Sequence, residues 1–246
     1  MLPKLAVIIP AYNEQERIGP TLDRMEEYLS GQEYSWRVVV VSDGSKDSTV
    51  SICQAKSKQN PNFSVVDNQI NQGKGGVVRQ GMLTIEAEFL LFSDADLAAP
   101  IEEIEKLWPA MDSGADIAIG SRPLKESRLE VRQPFYREML GRAFNMAVQL
   151  MAVRGIKDTQ CGFKLFRMGV ARDVFSRSKI DGFGFDFEVL MIARDLGYRI
   201  DEIPIRWSHQ EGSKVVLMRD GPRMLRELVK LRMLGKRGRM EKRGEG

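Results

Sequence analysis

Short apolar runs rich in β-branched residues alternate with amphipathic stretches through the first half of the chain, and this alternation strongly constrains the fold. Runs of three to five such residues are typical of strands buried on both faces, and the stretches between them have helical periodicity. Strands that alternate with helices form a mostly parallel sheet through right-handed crossovers. The sequence therefore predicts an α/β, Rossmann-like domain with a central sheet flanked by helices. The strands predicted from these runs are Leu5–Ile9, Val38–Val41, Phe63–Val66, Phe89–Phe92 and Ile117–Ile119. In the second half of the chain, a short strand is predicted at Gly162–Phe166 and a further single strand at Arg199–Arg206.

Polar residues follow three of these predicted strands. Tyr12–Glu14 comes after the first strand, Asp43–Ser45 after the second and Asp94–Asp96 after the fourth. Because parallel sheets bind ligands beyond the carboxyl ends of their strands, we expect these residues to share one site. The two carboxylates of Asp94 and Asp96 can both reach a hard cation such as Mg²⁺, which takes its other ligands from substrate phosphates. A solvated turn is the alternative interpretation of this pair.

A glycine-rich segment, Asn71–Gly76, precedes a helix predicted from about residue 75 to residue 87. The N–H groups at a helix N-terminus favour anions, and Lys74 adds a positive charge to this one. The segment is not a P-loop, because its glycine spacing differs and no Ser or Thr follows the lysine. Asp43 has two interpretations at this stage: a carboxylate that binds the base or ribose of a nucleotide, or a helix cap beside a turn glycine.

Several ordered motifs resemble those of family 2 glycosyltransferases with the GT-A fold. They are Ile8–Glu14, Val41–Thr49, Asn71–Gly76, Asp94–Asp96 and Gly120–Arg122. Three later segments resemble the dolichyl-phosphate glucosyltransferase branch: Asp158–Phe166, Phe185–Leu190, and Trp207 with Gly212–Lys214. The resemblance implies transfer of glucose from UDP-glucose to a polyprenyl or dolichyl phosphate, with inversion at the anomeric carbon and with Mg²⁺ or Mn²⁺ as cofactor.

The resemblance also implies roles for individual residues. Nucleotide binding is expected of Pro10, Tyr12, Glu14, Asp43, Lys74 and Asp94, metal binding of Asp94 and Asp96, and catalytic roles of Asp96, Arg122, Asp186 and Glu188. Arg122 and Arg137 are expected to bind the acceptor phosphate, since the arginine fork matches phosphate geometry, and Lys214 is placed with them.

One position departs from the family pattern. Ala98 stands where the related mannosyl-transferring synthases carry a metal-binding Gln. This favours the glucosyl branch and leaves the metal with one protein ligand fewer. His209, the single histidine of the chain, is interpreted as a surface residue in preference to a replacement ligand, and Cys161 as a small buried residue and not a nucleophile.

The chemistry of the acceptor decides whether the enzyme needs a base. A phosphomonoester has a second pKa of about 6 and is already an anionic nucleophile at neutral pH. Asp186 and Glu188 would then orient groups without removing a proton. The alternative is a transferase of the same fold that acts on a polysaccharide or another hydroxyl acceptor, with Asp186 or Glu188 as the base.

Charge is distributed unevenly along the chain, although the formal net charge is only +3. Residues 1–121 carry 10 basic and 18 acidic side chains, residues 122–154 carry 7 and 3, and residues 219–246 carry 10 and 4. The acidic first half argues against a nucleic-acid-binding protein, and the Asp94–Asp96 pair argues against a non-catalytic nucleotide-binding protein. The basic segments predict contact with the acceptor phosphate and with an anionic membrane surface.

The predicted organisation is a GT-A domain over residues 1–218, followed by a basic amphipathic helix and tail over residues 219–246. Within the domain, residues 1–121 form the nucleotide-binding half and residues 122–218 the acceptor half. The helical segments expected at about residues 135–151 and 223–234 would both face the membrane.

No transmembrane helix is expected, because the longest uncharged apolar stretch, Ala143–Val153, has 11 residues and a span needs about 20. Two cysteines cannot form a disulfide framework, which favours a reducing compartment. We therefore expect a cytoplasmic enzyme peripheral to the cytoplasmic face of a membrane. The sequence leaves its oligomeric state open.

Overall fold

The computed structural model describes residues 2–131, 155–210 and 217–234, together with positions 139, 146, 148, 149 and 153. All five strands predicted from the apolar runs are present. The strands are β1 (Leu5–Ala11), β2 (Trp36–Asp43), β3 (Phe63–Asn68), β4 (Phe89–Ser93), β5 (Ile117–Ser121), β6 (Arg128–Val131), β7 (Phe163–Arg167), β8 (Ile200–Pro204) and β9 (Arg206–Ser208). The α-helices are α1 (Ile18–Leu29), α2 (Thr49–Gln59), α3 (Lys74–Thr84), α4 (Ile104–Asp112), α5 (Met168–Phe175), α6 (Phe185–Asp195) and α7 (Leu217–Leu234).

The central sheet has seven strands in the order β3-β2-β1-β4-β7-β5-β8. β1 runs parallel to both β2 and β4, so the carboxyl ends of these three strands meet at one edge. β7 is antiparallel to its neighbours β4 and β5, and the remaining pairs in the sheet are parallel. The predicted α/β fold with a mostly parallel central sheet is confirmed.

Both faces of this sheet are buried, which explains the uninterrupted apolar runs. Along β1, Leu5, Val7 and Ile9 enter one hydrophobic cluster, whereas Ala6 and Ile8 enter the other. All five side chains have no exposed surface. Burying a Val, Leu or Ile side chain contributes about 1.5–3 kcal/mol, so each central strand stabilises the packing of helices on both sides.

The single strand predicted over residues 199–206 is wrong, because the structure forms two strands there in different sheets. β8 pairs with β5 at the edge of the central sheet, and β9 pairs with β6 in a separate two-stranded sheet. Pro204 ends β8, which suits an edge strand because proline has no N–H to donate. Ile205 lies between the two strands and is 1% exposed. The Ser208 N–H at the end of β9 donates to the Ala98 carbonyl at 2.8 Å, so β9 lies next to the segment that follows β4.

Helix α7 begins at Leu217, six residues before the helix start predicted at residue 223. Met224 and Leu228 lie in one of the two hydrophobic clusters, so this helix packs on the domain through one face. Among the helices that the structure describes, none combines the length and the apolar character needed to cross a bilayer. Arg137, Lys214 and most of the helix predicted over residues 135–151 lie outside the described residues.

Candidate active site

A cleft of about 720 Å³ opens at the carboxyl edge of the sheet, beyond the ends of β1, β2 and β4. Residues 181–183 and one face of α7 form part of its lining. The fold thus brings residues from distant parts of the sequence to one edge of the sheet. Seven predicted site residues line this cleft: Pro10, Tyr12, Glu14, Asp43, Lys74, Asp94 and Asp96.

Asp94 and Asp96 are positioned by a tight turn directly after β4. Leu97 has a φ of 46°, in the left-handed region, and the Ala98 N–H donates to Asp96 Oδ1 at 3.1 Å. The Asp94 carboxylate lies against Gly162, where a Cβ atom would stand 2.0 Å from Oδ2. Only glycine at position 162 leaves room for this carboxylate.

The electrostatics of this pair fit a divalent cation. Burial raises the pKa of Asp96, and the neighbouring Asp94 carboxylate raises it further. A metal ion would relieve this repulsion. The described residues contain no group of three or more His, Cys, Asp or Glu side chains that could hold a metal. The pair therefore suits Mg²⁺ or Mn²⁺ that takes its other ligands from water and phosphate oxygens, as Mg²⁺ commonly does.

Lys74, the first residue of α3, reaches across the cleft to the Asp94 carboxylate. Its Nζ lies 2.7 Å from Asp94 Oδ1 and 5.3 Å from the centroid of the Phe92 ring. Burial lowers the pKa of Lys74, but the carboxylates of Asp94, Asp186 and Asp96 outweigh burial and hold that pKa above its usual value. The ammonium group therefore remains charged at the helix N-terminus, where a diphosphate would be favoured.

Asp43 fixes the glycine-rich loop that precedes α3. Its carboxylate accepts hydrogen bonds from the N–H groups of Gln72 at 2.5 Å and Gly73 at 3.0 Å. Burial raises the pKa of Asp43, and these two bonds partly offset the effect. Asp43 does not cap α2: the Thr49 N–H at the start of that helix donates to Asp47 Oδ1 at 3.0 Å. Asp43 therefore shapes the wall of the cleft.

The segment after β1 forms another part of the wall. The Glu14 carboxylate contacts the Arg17 guanidinium at 2.5 Å, and the Glu14 N–H donates to Thr49 Oγ1 at 2.7 Å. Asn13 has a φ of 51°, a conformation that asparagine adopts more readily than most residues. Tyr12, which is 39% exposed, also lines the cleft.

Arg122 follows β5 and is held in place by a buried carboxylate. Its Nε and Nη2 donate to the two Asp158 oxygens at 2.6 and 2.8 Å, and its backbone N–H donates to the same carboxylate at 3.0 Å. Burial raises the pKa of Asp158, but Arg122 outweighs burial and holds that pKa below its usual range. The guanidinium also lies over the Trp207 ring, on which His209 stacks. Arg122 is thus fixed before any ligand arrives.

Asp186 and Glu188, the predicted base candidates at the start of α6, both make internal contacts. Asp186 is 3% exposed and pairs with the fully buried Lys164. Burial raises the pKa of Asp186, against the effect of Lys164 and Lys74. Glu188 is 2% exposed, and its Oε2 accepts the N–H groups of Lys179 and Ile180 at 3.0 and 2.8 Å. These contacts suit residues that position the loop before α6.

Comparison with known proteins shows the family of this chain. Residues 6–175 match the sequence model of "Glycosyl transferase family 2". The chain belongs to this family. A "Dolichyl-phosphate beta-glucosyltransferase" of Drosophila melanogaster is 39% identical over 225 residues, which cover 86% of this chain and 69% of the relative. The chain is accordingly a family 2 glycosyltransferase, as its motifs predict.

Solved structures share the fold of this glycosyltransferase at low sequence identity. Mannosyl-3-phosphoglycerate synthase from Rubrobacter xylanophilus superposes with a TM-score of 0.70 at 14% identity, covering 99% of this chain and 78% of that one. Glucosyl-3-phosphoglycerate synthase from Mycobacterium tuberculosis, in complex with Mn²⁺, UDP and glucosyl-3-phosphoglycerate, gives a TM-score of 0.64 at 17% identity, covering 96% and 80%. At these identities the likeness establishes the fold alone.

Sequence reasoning gave no role to two residues at the site of this glycosyltransferase. Asp158 holds Arg122, and Lys164 neutralises Asp186. Both lie in the segment Asp158–Phe166, which carried the family resemblance. The sequence also contained a signal that Lys164 pairs with a carboxylate. This lysine lies inside an otherwise apolar strand, and a lysine is almost never buried without a partner. Cys161 in the same segment is 1% exposed, and burial raises the pKa of its thiol to about 12, in agreement with its interpretation as a buried residue.

Proposed function

We propose that this glycosyltransferase moves glucose from UDP-glucose to a dolichyl or related polyprenyl phosphate, with inversion at the anomeric carbon and with dependence on Mg²⁺ or Mn²⁺. The name of the Drosophila relative supports the sugar and the lipid acceptor, and the UDP and Mn²⁺ bound to the mycobacterial neighbour support the donor and the metal. The paired carboxylates of Asp94 and Asp96, with Lys74 beside them, support the metal and the diphosphate.

Asp186 and Glu188, the two candidates for a catalytic base, already make internal contacts. This observation is the main support for a phosphate as the acceptor. Asp186 is buried against Lys164, and Glu188 accepts two backbone N–H groups. A hydroxyl acceptor needs a base to remove its proton, whereas a phosphomonoester, with a second pKa of about 6, is already an anion. A site whose carboxylates are occupied in this way suits the phosphate acceptor better.

On the donor side, different residues of the cleft would bind different parts of the nucleotide. Asp94 and Asp96 would hold the metal ion, which supplies charge to stabilise the departing diphosphate. Lys74 and the N-terminus of α3 offer positive charge to the same diphosphate. The loop that Asp43 fixes and the exposed ring of Tyr12 form the walls in which the nucleoside would bind.

On the acceptor side, Arg122 provides a positive charge that is already oriented. Two of its side-chain nitrogens donate to Asp158, and Nη1 is the one that would meet the acceptor phosphate. The pair of like-charged substrates must be brought together for an in-line attack, and a fixed cation lowers the cost of that approach. Arg137 and Lys214 stay predictions as further phosphate ligands.

Helix α7 is the described element that best suits an anionic membrane surface. Met224 and Leu228 face the core, whereas Leu225 and Val229 are 43% and 41% exposed. Arg226 and Lys230 are also exposed beside them. A basic residue near an anionic leaflet contributes about 1 kcal/mol. We therefore propose that the enzyme acts at the periphery of a membrane, with residues 219–246 as the basic element, and we propose the cytoplasmic face as its location.

A donor panel crossed with two acceptors tests the proposal. UDP-glucose, UDP-N-acetylglucosamine and GDP-mannose would each be incubated with a short polyprenyl phosphate or with a simple glucoside, in Mg²⁺, Mn²⁺ or EDTA. We expect polyprenyl-phosphate glucose from UDP-glucose and a divalent ion, and no product in EDTA.

Asp96→Ala should abolish transfer, while Asp112→Ala, an exposed carboxylate at the end of α4, should leave it unchanged. Efficient transfer to the glucoside with none to the lipid phosphate would refute the proposed acceptor. That result would favour the alternative in which Asp186 or Glu188 acts as a base.

A further inference from the structure

We infer that Lys74 serves as the internal counter-cation of Asp94: it neutralises this carboxylate until the nucleotide brings in a divalent ion, and then turns to the diphosphate. The inference rests on the proposed metal-dependent use of a nucleoside diphosphate sugar. It adds an order to binding, because free metal and Lys74 would compete for the carboxylate of Asp94.

The contact between the two side chains carries the inference. Lys74 Nζ stands 2.7 Å from Asp94 Oδ1, well within the distance of a charge-assisted hydrogen bond. The side chains of Lys74 and Asp94 are 22% and 32% exposed, so water screens the pair only in part. The ammonium group also lies 5.3 Å from the Phe92 ring and 6.0 Å from the Phe183 ring. These contacts hold the ammonium on the carboxylate.

The surrounding charges show why the exchange is feasible. Lys164 is paired with Asp186, whereas Lys74 contacts Asp94, which lies next to the Asp96 carboxylate. The two carboxylates of Asp94 and Asp96 together with the Lys74 ammonium group carry a net charge of −1, which a divalent ion would more than neutralise. Asp186 also attracts Lys74, so the ammonium group keeps a favourable field when it leaves Asp94. A nucleoside diphosphate offers it a new anionic partner at the same helix N-terminus.

The metal site is consequently incomplete in two respects before the nucleotide binds. The described residues offer no third metal-binding side chain, and Lys74 contacts one oxygen, Oδ1, of the Asp94 carboxylate. The metal alone should therefore bind weakly. The nucleotide supplies oxygen ligands and withdraws Lys74 from Asp94, so metal and nucleotide should strengthen each other's binding by the same factor.

Titration of the protein with Mn²⁺ by electron paramagnetic resonance, with and without UDP, tests the inference independently of catalysis. The variants are Lys74→Met, which removes the charge, Lys74→Arg, which keeps it, and Lys58→Met, an exposed lysine on α2, as the matched control. We expect Lys74→Met to bind Mn²⁺ alone at least about fivefold more tightly than wild type, within the usual range of coupling between sites. The factor by which UDP tightens Mn²⁺ binding should shrink in the same variant.

Lys74→Arg should keep the weak Mn²⁺ binding of wild type, and Lys58→Met should match wild type in every arm. Thermal melting checks that each variant is folded, and Lys74→Gln replaces Lys74→Met if that protein does not fold. Unchanged or weaker Mn²⁺ binding in the charge-removing variant would overturn the inference, whatever lipid or sugar the enzyme uses. Failure of glucose transfer to polyprenyl phosphate would overturn the proposed acceptor and leave these binding results standing.

Discussion

The Arg122–Asp158 pair gives the sharpest test of how this site is built. Asp158→Asn keeps the size and shape of the side chain but removes its charge. The guanidinium of Arg122 then faces a neutral amide that can no longer accept the same set of hydrogen bonds. The variant should lose stability and should also lose the fixed orientation of Arg122.

The magnitude follows from burial and from the number of bonds. The Asp158 side chain is 4% exposed and accepts three hydrogen bonds from Arg122, whose own side chain is 27% exposed. Removing one partner of a fully buried pair costs about 3–5 kcal/mol, and the partial exposure of Arg122 reduces this to about 2–3 kcal/mol. A chain of this size loses about 2–4 °C in Tm per kcal/mol, so we expect a decrease of about 4–12 °C.

The dependence on pH has a definite sign. The pKa of Asp158 is lower in the folded protein than in the unfolded chain. The pair therefore stabilises the fold fully above the unfolded-state pKa of about 3.9, and its contribution is lost as the pH falls toward the folded-state value. The difference in stability between wild type and Asp158→Asn should be constant near neutral pH and should shrink below about pH 4.

Urea unfolding at pH 7 measures the effect, with Asp112→Asn as an exposed control expected to change stability by less than about 0.5 kcal/mol. A double-mutant cycle with Arg122→Gln should give a coupling energy of about 1–3 kcal/mol. The activity of Asp158→Asn should fall because the acceptor phosphate binds less well, and the KM for the donor should be unchanged. Additive single-variant effects, or a stable Asp158→Asn protein, would refute the reasoning.

Three further predictions concern the packing around the site. Gly162→Ala introduces a methyl group where a Cβ stands 2.0 Å from Asp94 Oδ2, so Mn²⁺ binding in the presence of UDP should fall at least about tenfold, in a protein whose circular dichroism is unchanged. Both cysteines are buried with raised thiol pKa values, so neither should react with a thiol reagent at pH 8 until the chain is unfolded, when two thiols should titrate. Leu228→Ala should lower the free energy of unfolding by about 2–5 kcal/mol, whereas Val229→Ala on the exposed face of α7 should change it by less than about 0.5 kcal/mol.

The local sequence was sufficient to predict the strands of the first half and the residues at their ends. A short apolar run that is buried on both faces has few alternatives to a central β-strand. Strands that alternate with helices then pair in parallel. The positions of Tyr12, Asp43 and Asp94 at one edge follow from that arrangement. The later strands were harder, because the run over residues 199–206 has no internal signal that it divides between two sheets.

The sequence by itself determined the fold class, the family and the acidic pair Asp94 and Asp96, because each depends on residue types at short spacings. The tertiary structure alone decided which charges neutralise one another. Arg122 meets Asp158 across 36 positions, Lys74 meets Asp94 across 20, and Lys164 meets Asp186 across 22. Such pairs depend on distances between separate elements, which no local pattern encodes. They explain how a site made of like charges remains folded and ready to bind anions.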